Sequence, residues 1–351
     1  MRRLPFALCV TLLVVSASAA QEKISLEPQQ KWSNVFGGKE VDFTFRVSGP
    51  FQGRASWNFS LNQRTLASRE VPITSAPGKP ADLVVHLDLP KVKDGLSLKT
   101  RLLVSIYAQG SNPPAATLEK TLWIFPANPF AGQAQWLRVL KITLYDPPGT
   151  TARVFKEMDI PFVEARDLEA LNAVRAGTVI IGEGVSFQEQ RVLPELIVKL
   201  AARGLPVLCL APSDGILPIP VAQDAGLRRP EGFSIRRQNI ITRLDKRLDA
   251  EEWPGGKVVL SSVALKGDGA ATVGEAIQGK EGWPWMEIDF PTARGKVIVC
   301  GFGLMSNWDA SPAPRFLFAR ILERLTGTPS ETSEPKDGEV SSKRLQDRGA
   351  D

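Results

Sequence analysis

One stretch, Gly177 to Pro212, limits the folds open to this chain more than any other. It reads GTVIIGEGVSFQEQRVLPELIVKLAARGLPVLCLAP. A short apolar run, Thr178 to Ile181, opens it and a second, Leu205 to Ala211, closes it. Between them Leu193, Leu196, Ile197, Leu200 and Ala201 fall on one helical face. Two apolar strands joined by an amphipathic helix make a βαβ unit, and a βαβ unit requires a parallel sheet covered on both faces. Ser186 with Glu189 three residues on predicts a capping box at the start of the helix. Pro194 predicts a new helical segment or a kink, because proline has no N–H for the preceding turn. Gly204 ends the helix, glycine being the residue that tolerates the left-handed conformation there.

The first half obeys a different rhythm. From Ile24 to Phe125 apolar residues recur every second position: Val41, Phe43, Phe45 and Val47, then Ala55, Trp57, Phe59 and Leu61, then Leu83, Val85, Leu87 and Leu89, then Leu102, Val104 and Ile106. Turn material such as Ser48-Gly49-Pro50 and Ala76-Pro77-Gly78-Lys79-Pro80 separates the runs. Short alternating strands with no helical pattern between them predict an antiparallel β-sandwich of immunoglobulin-like shape. Such a shape hosts many unrelated roles, so it implies no function by itself.

With 351 residues the chain has room for two cores. The boundaries predicted are a signal peptide at 1–20, a β-sandwich at 21–127, a linker at 128–135, an α/β domain at 136–327 and a disordered tail at 328–351. Arg2 and Arg3 before the apolar run Leu4 to Val15, and the small residues Ser16 to Ala20 after it, carry the signal-peptide reading. No later run is long enough to span a bilayer, so the mature protein is expected to be periplasmic or secreted with no stable membrane span. The tail is rich in Ser, Glu, Lys, Pro and Asp and nearly devoid of apolar residues.

Within the α/β half the pattern predicts a strand from Trp136 to Tyr145, a helix around Thr151 to Met158, a strand at Pro161 to Glu164, and a helix capped by Asp167. Residues 213–280 read as a loop-rich insertion with mixed signals and a strand near Val258 to Leu265. Trp285 to Phe290 and Lys296 to Phe302 read as strands joined by a turn at Thr292 to Gly295, and Pro314 to Thr326 as the last helix.

Composition removes several functions. The formal charge of +5 falls to +3 once Arg2 and Arg3 leave with the signal peptide, and no dense Lys/Arg run builds a phosphate-neutralising patch. A nucleic-acid partner is therefore not expected. After processing two cysteines remain, Cys209 and Cys300, each inside an apolar run; buried thiols are the first reading and a disulfide the alternative.

The order of elements in 136–327 resembles the class I glutamine amidotransferase-like domain, a flavodoxin-like parallel sheet flanked by helices. The strand ending at Asp146, the Val179-Ile180-Ile181-Gly182 strand, the Gly204-Leu205-Pro206-Val207-Leu208 strand and the late Gly295-Lys296-Val297-Ile298-Val299 strand carry the resemblance. It is similar in style to the non-catalytic versions found in large exported bacterial proteins. The active family needs a cysteine nucleophile on a sharp strand-to-helix turn and a histidine partner. Here Cys209 is the nearest equivalent, flanked by Leu208 and Leu210, and the chain's single histidine, His86, lies in the other domain. Cys-His or Ser-His catalysis is not expected, and no metal or cofactor is implied.

In sheets of this kind ligands gather beyond the carboxyl ends of the strands. The ligand-binding candidates are accordingly Asp146, Glu183 and Asp214, with Trp283, Trp285, Asn307, Trp308, Asp309 and Arg315 near the end of the domain. Gly182-Glu183-Gly184 offers a glycine-assisted turn, although Glu183 would repel phosphate. The tryptophans either stack on sugar rings or fill the core. The reading these features support is an exported non-catalytic binding or scaffolding protein of the cell envelope with a protein or glycan partner. The competing reading is a carbohydrate-active hydrolase using carboxylates at the sheet edge, which needs two carboxyl groups converging roughly 5–9.5 Å apart.

Overall fold

A computed structural model describes residues 24–219, 229–261, 264–267, 283–292 and 294–326. The segments expected as a signal peptide (1–20) and a disordered tail (328–351), and part of the 213–280 stretch expected as an insertion, lie outside the described residues. The chain is mixed α/β, with an all-β part formed by its first eight strands. Its contacts divide it into two compact units. One comprises residues 1–30, 42–87 and 101–120; the other comprises 31–41, 88–100 and 121–351.

The strands of the all-β part are β1 (Ser25–Pro28), β2 (Asn34–Phe36), β3 (Glu40–Ser48), β4 (Phe51–Leu61), β5 (Arg64–Ser75), β6 (Ala81–Asp88), β7 (Leu98–Ala108) and β8 (Ala116–Phe125). They form a three-stranded sheet in the order β1-β3-β6 and a five-stranded sheet in the order β2-β8-β7-β4-β5. The period-two pattern is realised directly. Phe43, Phe45 and Val47, Ala55, Trp57 and Phe59, Leu83, Val85 and Leu87, and Leu102, Val104 and Ile106 are all buried, and the residues between them, the buried Ser105 excepted, face outward or are only partly covered. A pleated strand sends successive side chains to opposite faces, so each such strand has one dry face. His86 lies on the outer face of β6, its Nδ1 2.7 Å from Asp42 Oδ1.

The α/β part begins with α1 (Ala134–Leu140), β9 (Ile142–Tyr145), α2 (Thr150–Glu157), β10 (Phe162–Glu164) and α3 (Leu168–Asn172). It continues through β11 (Val179–Ile181), α4 (Leu193–Ala202), β12 (Pro206–Leu210), β13 (Ile216–Ile219), β14 (Gly232–Arg236), α5 (Ile240–Leu244) and β15 (Ala264–Gly267). It ends with β16 (Trp285–Asp289), β17 (Lys296–Cys300) and α6 (Pro312–Thr326). Seven strands make one sheet in the order β10-β9-β11-β12-β17-β16-β14. The first five run parallel, and β16 and β14 join antiparallel at one side.

Side-chain parity explains why this sheet is covered on both faces. Val179, Ile181, Val207, Cys209, Val297 and Val299 enter one core cluster with residues of α3 and α4. Ile180, Leu208, Leu210, Ile298 and Cys300 enter the other with residues of α1, α2, α5 and α6. Apolar residues at every position of these strands thus supply two cores at once.

The βαβ unit forms as its sequence requires, with β11 parallel to β12 and Ile180 opposite Leu208. The capping contact is made, Glu189 N donating to Ser186 Oγ at 3.1 Å. It closes a turn, however, and the helix itself begins at Leu193 with Pro194 in its first turn. There the ring's fixed φ is favourable and no N–H is missed. Gly204 adopts φ +98 just beyond the helix end.

Two expectations need correction, and one segment of mixed signals resolves into its parts. The strand expected from Trp136 is a helix until Leu140, because Leu137 and Leu140 at helical spacing are the buried positions. Lys141 at φ 47 then breaks the helix, and the strand starts at Ile142. The mixed segment Ser234 to Asp249 resolves into the end of β14 followed by α5. Of the strand expected over Val258 to Leu265, the described residues 258–261 carry a bridge between Val259 and Phe302, and Ala264 and Leu265 belong to β15.

Candidate functional site

Beyond the carboxyl ends of the parallel strands lie Asp146, Glu183 and Ala211, with Thr151 in the first turn of α2, while Asp214 lies in a separate turn. Asp146 follows β9. Its Oδ2 accepts from Ala152 N at 2.8 Å in the first turn of α2, whose own N-cap, Gly149, has no side chain. Its Oδ1 is buried and has no partner, and it presses on Gly182: a Cβ at that glycine would stand 2.1 Å from it. Only glycine permits that approach. Burial pushes the Asp146 carboxyl above its ordinary pKa, backbone hydrogen bonds from Ala152, Thr151 and Gly149 oppose this, and the charge of Glu164 adds to it.

Glu183, one residue beyond Gly182, is 5% exposed. Its amide donates to Thr151 Oγ1 at 2.9 Å, which ties the β11 end to α2. Its carboxylate accepts from Met305 N at 2.8 Å and Ser306 N at 2.9 Å, so it caps the turn that follows β17. Burial raises its pKa despite these donors. Asp214 differs, being half-buried and committed to the turn after β11. It accepts from Ser186 Oγ at 2.8 and 2.9 Å and from Gln188 N at 3.0 Å. Those bonds, the Gln188 amide first, hold its pKa below the usual carboxylate range.

The end of β12 has a backbone feature that the sequence does not advertise. Ala211 has φ 31, a positive value on a non-glycine residue. Its N–H donates to Cys300 O at 2.6 Å and its C=O accepts from Gly184 N at 3.1 Å. A strained position at the end of a central strand is where many α/β enzymes hold a nucleophile above the sheet. Here it holds a methyl group. Cys209, two residues earlier, is fully buried inside β12, and desolvation drives its thiol far above the ordinary range. Burial pushes Cys300 up to about 12. Neither is a thiolate nucleophile at neutral pH.

The candidates from the end of the domain are structural in most cases. Trp285 is fully buried and donates Nε1 to Glu287 Oε1 at 2.7 Å. Trp308 is 1% exposed and packs edge-on to Phe318 at 5.9 Å. Neither presents a face to a sugar, so of the two readings open for the tryptophans both of these fill the core, and neither is a ligand-binding candidate. Trp283 is half-buried, with the Arg237 guanidinium 5.1 Å from its ring centre. Asn307 donates Nδ2 to Gly303 O at 2.8 Å in its own turn and to Lys257 O at 3.1 Å on a distant segment. Arg315 is consumed by Trp308 O, Ala127 O and the Asp309 carboxylate at 2.6, 2.8 and 2.7 Å, and its guanidinium lies 4.7 Å from the Phe36 ring centre. Asp309 is its exposed ion-pair partner.

The structure therefore links Asp146 and Glu183 through Thr151 and Gly182, and brings the 304–307 turn to Glu183. The other candidates belong to separate contacts. Sequence reasoning missed Thr151 and Ala211. Thr151 is one of two adjacent threonines in an ordinary helix start, and an alanine before Pro212 gives no sign of positive φ.

No family model matches this chain, and no curated protein matches it. Among solved structures it is similar in part to Spo0M, a sporulation control protein from Bacillus subtilis, at 15% identity over 33% of this chain and 54% of that one, with a TM-score of 0.24. It is also similar in part to Bifidobacterium dentium β-glucuronidase, at 9% identity over 57% and 44% of the two chains and a TM-score of 0.21. An ASH/PapD-like domain of human CEP192 matches at 10% identity over 35% of this chain and 97% of that one, with a TM-score of 0.16. The chain thus spans about half the length of Spo0M and less than half of the glucuronidase. At TM-scores this low none of the three defines a shared fold. Among the described residues, no helix is long and apolar enough to cross a membrane.

Proposed function

We propose that this chain is an exported, non-catalytic binding or scaffolding protein of the cell envelope, periplasmic or secreted, whose α/β part is a silent version of the amidotransferase-like fold. The parallel order β10-β9-β11-β12-β17 with helices on both faces supports that likeness. The observation that carries the reading is Ala211: the strained turn at the end of β12 is kept and the reactive side chain is missing. The carboxylates nearest to it have structural duties as well, Asp146 capping α2 and Glu183 capping the 304–307 turn. Burial of Trp285 and Trp308 removes two of the three indoles a glycan would stack on, and this favours a protein partner over a glycan.

The hydrolase reading retains one supporting observation. Asp146 and Glu183 are both buried carboxyls with raised pKa values, the state a general acid requires. The experiment is to incubate the mature chain with envelope polysaccharides and measure both reducing-end release and saturable binding. The binding reading expects no release above that of the Asp146→Asn and Glu183→Gln variants. Turnover present in the parent and lost in both variants would replace it with a glycoside hydrolase.

A further inference from the structure

A cavity of about 540 Å³ opens at the amino ends of the strands, the edge of the sheet opposite the carboxylate cluster. Gly177 and Thr178 lead into β11 there, Pro206 begins β12 and Lys296 begins β17. Its wall holds four basic side chains, Lys141, Arg294, Lys296 and Arg324, against a single carboxylate, Asp289. These cations are unequally engaged. Lys296 is spent on Asp289 at 3.1 Å and Glu287 at 3.7 Å. Arg324 commits only Nε, to Glu287 Oε1 at 2.8 Å. Among the described residues its two terminal nitrogens, and the whole side chains of Lys141 and Arg294, make no hydrogen bond or ion pair.

Thr178 adds a neutral donor. It is 2% exposed and lines the cavity, and its hydroxyl has no hydrogen-bond partner among the described residues. Trp136, Leu140, Phe290 and Leu325 supply apolar wall. Helix polarity accounts for part of the charge, since Lys141 and Arg324 stand at the C-terminal ends of α1 and α6, where cations are favoured. It does not account for Arg294, which lies in the turn between β16 and β17, nor for the unpaired hydroxyl of a buried threonine. The volume falls within the range of small-molecule sites, and an apolar wall with a few converging polar groups is their usual make-up.

We propose that this cavity binds a small organic anion, its acid group held by Arg294, Lys141 and the free end of Arg324, its apolar body lying against Trp136 and Phe290. The site is independent of the partner-binding reading above and of the carboxylate cluster.

Phenyl phosphate serves as the probe, titrated calorimetrically into the full mature chain, with benzyl alcohol as the neutral control. The expected result is one saturable site with a Kd of about 1 mM or tighter. Arg294→Gln should weaken it about tenfold, and added salt should weaken it further because the contact is ionic. Arg294 is exposed in its turn, so this variant should keep the parent melting temperature and report on binding alone. Lys141→Gln provides a second variant on a different element. Absence of saturable binding, equal binding of benzyl alcohol, or full affinity in both variants would overturn the proposal.

Discussion

Asn34 and Asp249 bind each other reciprocally across 215 positions of sequence. Asp249 Oδ2 accepts from the backbone N–H groups of Ser33 and Asn34 at 2.6 Å each, and Asn34 Oδ1 accepts from Asp249 N at 2.8 Å. Asn34 Nδ2 completes the ring by donating to Arg247 O at 2.8 Å. Asn34 is 1% exposed, so these groups have little access to water as a substitute. Asp249→Ala orphans two backbone donors at a cost of about 1–3 kcal/mol each. We expect a loss of about 3 kcal/mol, a fall in melting temperature of roughly 6–12 °C by calorimetry. Asp249→Asn keeps one acceptor oxygen and should lose less than half as much. Equal melting of parent and Asp249→Ala would show that the ring contributes nothing to stability.

Acid should destabilise the fold through Glu287. This residue is 3% exposed and receives Trp285 Nε1 at 2.7 Å, Arg324 Nε at 2.8 Å and, at 3.7 Å, the Lys296 ammonium. Burial works to raise its pKa, but the hydrogen bonds from Arg324 and Trp285 and the nearby positive charges outweigh it and the pKa is lowered. A carboxyl with a depressed folded pKa contributes stability that is present above its unfolded value and is lost as pH falls through the folded one. Asp146 and Glu183 act in the opposite sense: with raised pKa values, their contribution is full below the unfolded value and is lost as pH rises through the folded one. Glu287→Gln should therefore flatten the acid limb of a stability-against-pH curve measured by urea unfolding, and Glu183→Gln should not. An acid limb unchanged by Glu287→Gln would remove Glu287 from this account.

The central sheet was legible because its strands are apolar at every position, which only a doubly covered strand can afford. Period two made the all-β part legible for the related reason that one face is wet. The helix Ala134–Leu140 was misread because the apolar residues Trp136, Leu137, Val139 and Leu140 run straight on into those of the strand Ile142–Tyr145, and the packing of Leu137 and Leu140 at helical spacing separated the two elements. Contacts such as Asn34 with Asp249, or Glu183 with the 304–307 turn, join residues too distant in sequence to leave a local pattern. The site suffered most from this. Asp146, Glu183 and Asp214 were placed at the correct edge by strand order, but their hydrogen-bond partners could not be read. Trp285 and Trp308 looked like a binding surface because a large indole gives the same sequence signal in a core as on a rim.

The same parity argument settles the two thiols. Cys209 pairs in register with Val299, and Cys300 with Leu210, so the cysteines sit on adjacent strands one position apart. One position is a half-period, and it sends their side chains into opposite core clusters. A disulfide needs both Cβ atoms on the same side, about 3.5–4.5 Å apart. Both are free and buried. A chain beginning after residue 20 should give no reaction with a thiol reagent while folded and two equivalents after unfolding in denaturant. A pair that reacts in denaturant only after a reductant is added, or a fast-reacting thiol in the native state, would contradict the strand register.

Ala211 offers the most direct test of the strained turn. Its positive φ costs an L-residue about 1–2 kcal/mol. Ala211→Gly relieves that strain but gives up about 0.8 kcal/mol of methyl burial and about 0.5–1 kcal/mol of chain entropy. These contributions oppose each other, and the variant should remain within about 0.5 kcal/mol of the parent. Ala211→Val is the informative partner. A β-branched side chain resists positive φ and must also fit a position that is 2% exposed, so a loss of about 2 kcal/mol or more is expected by urea unfolding. A valine variant as stable as the parent would mean that the turn relaxes freely. The end of β12 would then hold no strained position, and the reading of an emptied nucleophile site would lose the observation it stands on.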